Sequence, residues 1–255
     1  MNPPAAQPVV VGGGPEALFA VTVFEDGVRA EMTTGPWSDS AGSLGVLADN
    51  VLGYALIEGA PAGLWSVSAE ISLDFFRLPP VDGTTLRAEG RTLHATSATG
   101  LAEGSIVDAQ GRLVSRCRQW GRYVALSGPA PEGRPTTTPT VGLLAKIREQ
   151  VSAADGRAEL RIDVGDDLVN PIGTLHGGIS LWLAELTASA ALARPDFVPA
   201  SLTATYPRPF PHGEVATFRA EVVTAGRRMA VTRVIGANRA GKPCVVATVH
   251  HHIPG

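Results

Sequence analysis

Asn170, His176, Gly177 and Gly178 fall in one short stretch, Asn170-Pro171-Ile172-Gly173-Thr174-Leu175-His176-Gly177-Gly178, and Glu185 follows in Leu183-Ala184-Glu185. These residue types suit hydrolysis of an acyl bond. That reaction needs donors aimed at a carbonyl oxygen as it becomes an oxyanion. Glycine amides at a helix N-terminus offer unpaired N–H groups together with the positive end of the helix dipole. It also needs a carboxylate, either to attack the carbonyl carbon or to orient a water as general base. Glu185 cannot serve the donors on its own helix, because it lies eight residues beyond Gly177, about 12 Å of helical rise. The carboxylate must come from another helix.

An internal repeat supplies one. Gly42-Ser43-Leu44-Gly45-Val46-Leu47-Ala48-Asp49 lies over Gly178-Ile179-Ser180-Leu181-Trp182-Leu183-Ala184-Glu185, which places Asp49 opposite Glu185 at an offset of 136. Further on, Phe76-Arg77-Leu78-Pro79-Pro80 answers Tyr206-Pro207-Arg208-Pro209-Phe210, and Gly83 and Gly111 answer Gly213 and Gly241 at a constant offset of 130. A fixed spacing of this kind marks a duplication. Each half opens with an alternating, strand-like run (Leu18 to Val28; Ala158 to Val164) and then an irregular segment. The next element is an apolar helix, Gly42 to Glu58 in one half and Gly177 to Leu192 in the other, followed by three or more strands. Both helices are apolar almost all round, so each is expected to be enclosed. The boundaries read as an N-terminal domain at 1–125, a Pro/Gly/Thr-rich linker at 126–140 and a C-terminal domain at 141–255. Thr140 to Val151 reads as a short amphipathic helix with Thr140 as its cap.

The stretch from Asn170 to Glu185 resembles the hot-dog thioesterases of the phenylacetyl-CoA and 4-hydroxybenzoyl-CoA type. Their signature is an Asn or Gln, then His-Gly-Gly at a helix start, then an acid nine residues after the His; Ser189 matches their hydroxyl one turn past the acid. The resemblance implies an α+β chain of two tandem hot-dog domains, each a long helix wrapped by an antiparallel sheet, with the sheets joined edge to edge. It implies an acyl-CoA thioesterase in which one half supplies the oxyanion donors and the other the carboxylate. Two composite sites follow. In one, Asn170, His176 and Gly177 face Asp49. In the other, Glu185 and Ser189 face Ser40-Ala41-Gly42, which lacks His-Gly-Gly and has Thr34 where Asn170 sits. The first has all the parts.

Substrate is expected to be an acyl-CoA or acyl-carrier thioester lying between the halves, near Gly178 and Ser189, with its phosphates by surface arginines such as Arg208, Arg227 or Arg228. No cofactor is implied, coenzyme A being part of the substrate. Relatives of this type assemble further, so a dimer or trimer of the tandem chain is expected. Taken singly the residues have plainer roles: Asn170 starts a turn before Pro171, His176 caps or packs, and Asp49 and Glu185 are helix acids. Their combined spacing favours chemistry. Two other readings stay open, a non-catalytic acyl-CoA binding or regulatory protein and a hot-dog enoyl-CoA hydratase. In the hydratases the His follows Asn-Pro almost at once, whereas His176 comes six residues after Asn170.

Composition narrows the field. The 255 residues carry a formal charge of −3 and are 18% charged, which gives no electrostatic reason to expect nucleic acid. No apolar run approaches a bilayer span and no signal-like start is seen, so a cytoplasmic protein without a membrane partner is expected. Val9 to Ala17 imitates a dinucleotide-binding loop, but strand-like Val21-Thr22-Val23-Phe24 follows where a helix should. Cys117 and Cys244 read as small buried hydrophobes. In His250-His251-His252 only the outer two share a strand face, so no metal site is expected.

Overall fold

The computed structural model describes residues 8–9, 14–24, 27–125 and 142–254. The first half contains β1 (Pro8–Val9), α1 (Gly14–Leu18), β2 (Val21–Phe24) and β3 (Arg29–Thr33). A 3-10 turn at Ala41–Ser43 leads into α2 (Leu44–Glu58), and then come β4 (Leu64–Phe75), β5 (Thr85–Ala95), β6 (Thr99–Val107) and β7 (Leu113–Ala125). The second half has α3 (Leu143–Glu149), β8 (Ser152–Ala154), β9 (Arg157–Asp163) and a 3-10 turn at Asp166–Leu168. It continues with α4 (Gly177–Leu192), β10 (Val198–Thr205), β11 (Val215–Ala225), β12 (Met229–Ala237) and β13 (Pro243–His252).

All thirteen described strands belong to one antiparallel sheet, ordered β1-β2-β3-β5-β6-β7-β4-β10-β13-β12-β11-β9-β8. The halves meet where β4 pairs with β10, from Ser201 opposite Asp74 to Thr205 opposite Glu70. This is the edge-to-edge pair of tandem domains that the motif implied. Each long helix is enclosed by its own half of the sheet: α2 packs on β5 and β6, and α4 on β9, β11 and β12. Their apolar faces run all round because both sides are covered. Leu44, Val46, Leu47, Val51 and Leu52 of α2 and Ile179, Leu181, Trp182 and Leu183 of α4 are fully buried, and burial of such side chains contributes about 2 kcal/mol each.

The helices also pack on one another, antiparallel. A Cβ built on Gly45 meets the Gly178 carbonyl oxygen at 2.8 Å, and one on Gly178 collides with the backbone of Gly45 and Val46. Small residues let the two backbones approach closely. At successive levels of the crossing Gly42 meets Glu185, Gly45 meets Leu181, and Asp49 meets Gly177.

Two expectations need correction. The run from Leu18 to Val28 is not one strand: Leu18 closes α1, Ala20 turns the chain at φ 49°, and only Val21–Phe24 pair as β2. Gly14-Pro15 opens that short helix, where a proline costs nothing because first-turn amides lack helical partners. α2 starts at Leu44, two residues later than expected, after the 3-10 turn. The helix read between Thr140 and Val151 is observed as α3, capped by Gly142; Thr140 and the linker reading at 126–140 lie outside the described residues. α1 crosses to the other half. A Cβ on Gly14 would collide with the backbone of Asp167, and Phe19 meets Trp182 edge to face at 5.4 Å between ring centres.

Candidate active site

α4 begins at Gly177 with His176 as its N-cap, and the antiparallel α2 brings Asp49 to that end. Asp49 Oδ2 accepts the Gly178 N–H at 2.9 Å and lies 3.1 Å from His176 Nδ1. Asp49 Oδ1 accepts from Ser68 Oγ at 3.2 Å, and Ser68 in turn accepts from Gln119 Nε2 at 3.0 Å. On its far side His176 Nε2 is 3.5 Å from Glu16 Oε1, which also accepts from Asn50 Nδ2 at 3.1 Å. His176 is 5% exposed.

The Gly178 N–H thus lies near two acceptors, Asp49 Oδ2 and, at 3.0 Å, His176 Nδ1. A protonated imidazole satisfies every group: Nδ1–H goes to Asp49, Nε2–H goes to Glu16, and Gly178 serves Asp49 alone. A neutral ring would leave two carboxylates around one uncharged, buried side chain. Burial opposes the imidazolium, but the Asp49 charge and the Glu16 carboxylate outweigh it and raise the His176 pKa above its ordinary value. Burial likewise pushes Glu16 up, yet its hydrogen bond and charge interaction with His176 prevail and hold it below the usual carboxylate range. Tyr206, at the end of β10, donates its hydroxyl to the Gly177 carbonyl at 3.0 Å. Burial, and then the Asp49 charge, keep its phenol protonated and able to donate.

Glycine at 177 clears room for the acid, since a Cβ there would stand 2.8 Å from Asp49 Oδ2. Asp49, His176, Gly177, Asn170 and Arg208 border a cleft of about 340 Å³ between the halves, a size typical of small-molecule sites. The Asn170 Oδ1 is engaged inside its own turn, accepting from the Thr174 amide and hydroxyl. Arg208 is exposed and donates to the Pro243 carbonyl.

Glu185 and Ser189 do not line this cleft. Glu185, 3% exposed, packs on Gly42 and accepts the Ser189 hydroxyl at 2.6 Å, and Ser189 is 3.3 Å from His251 Nε2. His251, buried, has its pKa lowered to about 4 by burial and by the charge of His250. Burial raises the Glu185 pKa against the opposing effects of Ser189, Ser40 and the Gly42 amide. An acid raised above its unfolded value destabilises the fold as pH climbs past that value. Glu185→Gln is therefore expected to raise Tm by about 2–4 °C at pH 8 and less at pH 5, with thioester turnover unchanged. Thermal melts at both pH values check this.

The motif pointed to Asp49, His176 and Gly177, which the structure brings together. Glu16, Ser68, Gln119 and Tyr206 were missed. Tyr206 lay in the repeated Tyr-Pro-Arg-Pro segment, and Glu16 in the stretch that imitates a nucleotide loop.

Comparisons with known proteins agree with this architecture. A family model described as an acyl-CoA thioesterase C-terminal domain matches residues 22–123, and one described as an acyl-CoA thioesterase N-terminal domain matches residues 166–252. Human acyl-coenzyme A thioesterase 13 is 33% identical over 94 residues, covering 35% of this chain and 67% of that protein. The chain belongs to the acyl-CoA thioesterase family. Among solved structures, an acyl-CoA thioesterase II from Mycobacterium marinum superposes with TM-score 0.63 at 10% identity, covering 94% of this chain and 98% of its own. A 12:0-ACP thioesterase from Umbellularia californica gives TM-score 0.62 at 13% identity, covering 89% and 94%. At these identities the likeness shows the fold, the tandem hot-dog. As a member of this family the chain is a thioester hydrolase acting on acyl-CoA.

Proposed function

We propose that this acyl-CoA thioesterase works through a single composite site, with the α4 N-terminus as oxyanion donor and Asp49 of α2 as general base. The observation that carries this reading is the Asp49 carboxylate resting against Gly177 and Gly178 at the edge of the cleft. A thioester carbonyl entering there meets the Gly177 N–H at the positive end of the helix, the Gly178 N–H being held by Asp49. Asp49 takes a proton from water as the water oxygen bonds to the carbonyl carbon. The tetrahedral intermediate then expels the thiolate, which receives the proton, leaving acid and CoA. Both Asp49 oxygens accept hydrogen bonds, which fix the direction of the carboxylate at the cleft edge. Glu185, in its packed environment, is left out of the reacting site.

The finer assignment, to the phenylacetyl-CoA and 4-hydroxybenzoyl-CoA type, rests on Asn170, His176, Gly177 and Gly178 with an acid on the facing helix. Tyr54, Ile57, Trp65, Val67 and Val124 give the cleft an apolar wall for the acyl group. We propose Arg208, at its mouth, for the phosphate end of CoA. Assembly into dimers or trimers is supported by Phe76, Leu78 and Val81, exposed by 59%, 48% and 54% on one loop. We propose a cytoplasmic place; no described helix is long and apolar enough to cross a membrane.

Free-thiol release from short, long and aromatic acyl-CoAs tests the activity. Single turnover in 18O-water, with hydroxylamine trapping in parallel, tests the base: label is expected in the product acid, none in Asp49, and no acyl-Asp49 anhydride is expected to be trapped. Label in the Asp49 carboxylate after the first turnover would make it the nucleophile, and no thiol from any substrate would return the chain to a binding role.

A further inference from the structure

The buried carboxylate of Glu16 lies outside the family motif, yet α1 carries it into the heart of the site. We propose that Glu16 is a positioning residue: it holds His176 on the side opposite Asp49 and, through that imidazole, keeps the Asp49 carboxylate against the α4 N-terminus. The inference rests on the reading that Asp49 is the reacting acid.

Geometry carries it. His176 is flanked by Asp49 Oδ2 at 3.1 Å and Glu16 Oε1 at 3.5 Å, one from α2 and one from α1. Glu16 is 5% exposed and is itself oriented by Asn50 Nδ2 at 3.1 Å, so its direction is fixed by the residue following Asp49 in sequence. Asn50 also donates to the Val46 carbonyl, which ties the pair to α2. Burying a carboxylate this deeply is unfavourable unless a cation or strong donors meet it. His176, 3.5 Å away, is a group that can become such a cation.

The charge state of His176 decides what Asp49 experiences. As imidazolium, His176 donates Nδ1–H to Asp49. As neutral imidazole protonated on Nε2, it turns a lone pair toward Asp49 Oδ2 and competes with it for the Gly178 N–H. Glu16 at Nε2 and the Gly178 N–H at Nδ1 favour that tautomer, so losing the Nδ1 proton pushes the carboxylate away from its seat. Four ionisable groups act on this balance: Glu16 from α1, Asp49 and Tyr54 from α2, and Tyr206 from the end of β10. The two tyrosines stay neutral, so the two carboxylates set it. Because the His176 pKa is raised, the stabilisation it brings is complete below the ordinary value of about 6.5 and is lost as pH rises through the raised value.

Glu16→Gln keeps the shape and an acceptor for Asn50 while removing the charge. We expect the His176 ring titration, read by NMR, and the basic limb of the kcat/KM profile to move down together by about one pH unit, the size of losing one close opposite charge. Above the raised wild-type value kcat is expected to fall about tenfold with KM within about twofold, and below the variant's own value the two proteins are expected to match. Gly14→Val, which forces α1 off Asp167 without touching Glu16, is expected to show the same downward shift. A Glu16→Gln protein with both curves superimposed on wild type overturns the inference, even if Glu16→Ala is unstable. The NMR titration does not depend on turnover. If Asp49→Asn stays active the catalytic reading fails, whereas an unmoved His176 titration removes only the role given to Glu16.

Discussion

Asp49→Asn is expected to lower kcat for acyl-CoA hydrolysis by about three orders of magnitude, the range lost when a positioned general base is removed. The amide keeps the shape of the carboxylate: its oxygen can still accept the Gly178 N–H, and its NH2, in the place of Oδ1, can donate to Ser68 Oγ. What it cannot do is take a proton from water, so KM and Tm are expected to stay near wild type while kcat collapses. Glu185→Gln is the matched control, since the two acids are related by the repeat and differ in surroundings. Asp49 has an 11% exposed side chain on the cleft, whereas Glu185 is packed among Gly42, Ser189 and Trp182. Steady-state kinetics on both variants decide between the composite sites. Activity retained in Asp49→Asn and lost in Glu185→Gln would move the chemistry to the other end of the helix pair.

The proposal that one end reacts rests on the residues that differ between the halves. Ser40-Ala41-Gly42 stands where the second half has His176-Gly177-Gly178. Without the histidine, Ser40 makes no side-chain capping bond, and the chain takes a 3-10 turn before α2 begins. At the other end His176 stands at the N-cap position, Asp49 takes the Gly178 N–H, and α4 starts as an α-helix at Gly177. The duplicated frame places a carboxylate at both crossings, and local sequence opens one of them to the cleft.

That much could be read from the chain. Two runs of small residues and leucine apolar almost all round, the offset joining Asp49 to Glu185, and the length of a helix between donor and acid led to a site shared by the halves. The rest depended on contacts that local pattern does not carry. α1 has five residues, too few to be stable alone, and exists because Gly14 fits against Asp167 and Phe19 against Trp182. Ser68 and Gln119 sit on paired strands, where a register shift between Ser68 and Glu70 resets the inward-outward alternation. Counting alternate residues along β4 therefore does not carry across that shift to show that Ser68 faces Asp49.

Gly177→Ala is expected to cut kcat about a hundredfold while leaving the fold intact, the loss typical of a displacement of about 1 Å at a reacting group. Gly177 opens a regular helix, and its φ is not positive. Alanine suits that backbone, and at a helical position it gains up to about 1 kcal/mol over glycine. The added methyl instead meets Asp49, 2.8 Å from Oδ2 and 3.1 Å from Cγ and Oδ1. To make room the carboxylate must leave the Gly178 amide or the Ser68 hydroxyl, and both bonds aim it. Gly178→Ala makes the contrast: its methyl strikes the backbone of Gly45 and Val46, which cannot move without parting the helices. That variant is expected to lose about 1–3 kcal/mol of stability, the usual cost of overpacking. Chemical denaturation and kcat measured side by side separate the two. A Gly177→Ala enzyme within threefold of wild type would mean that the acid does its work somewhere other than against this glycine.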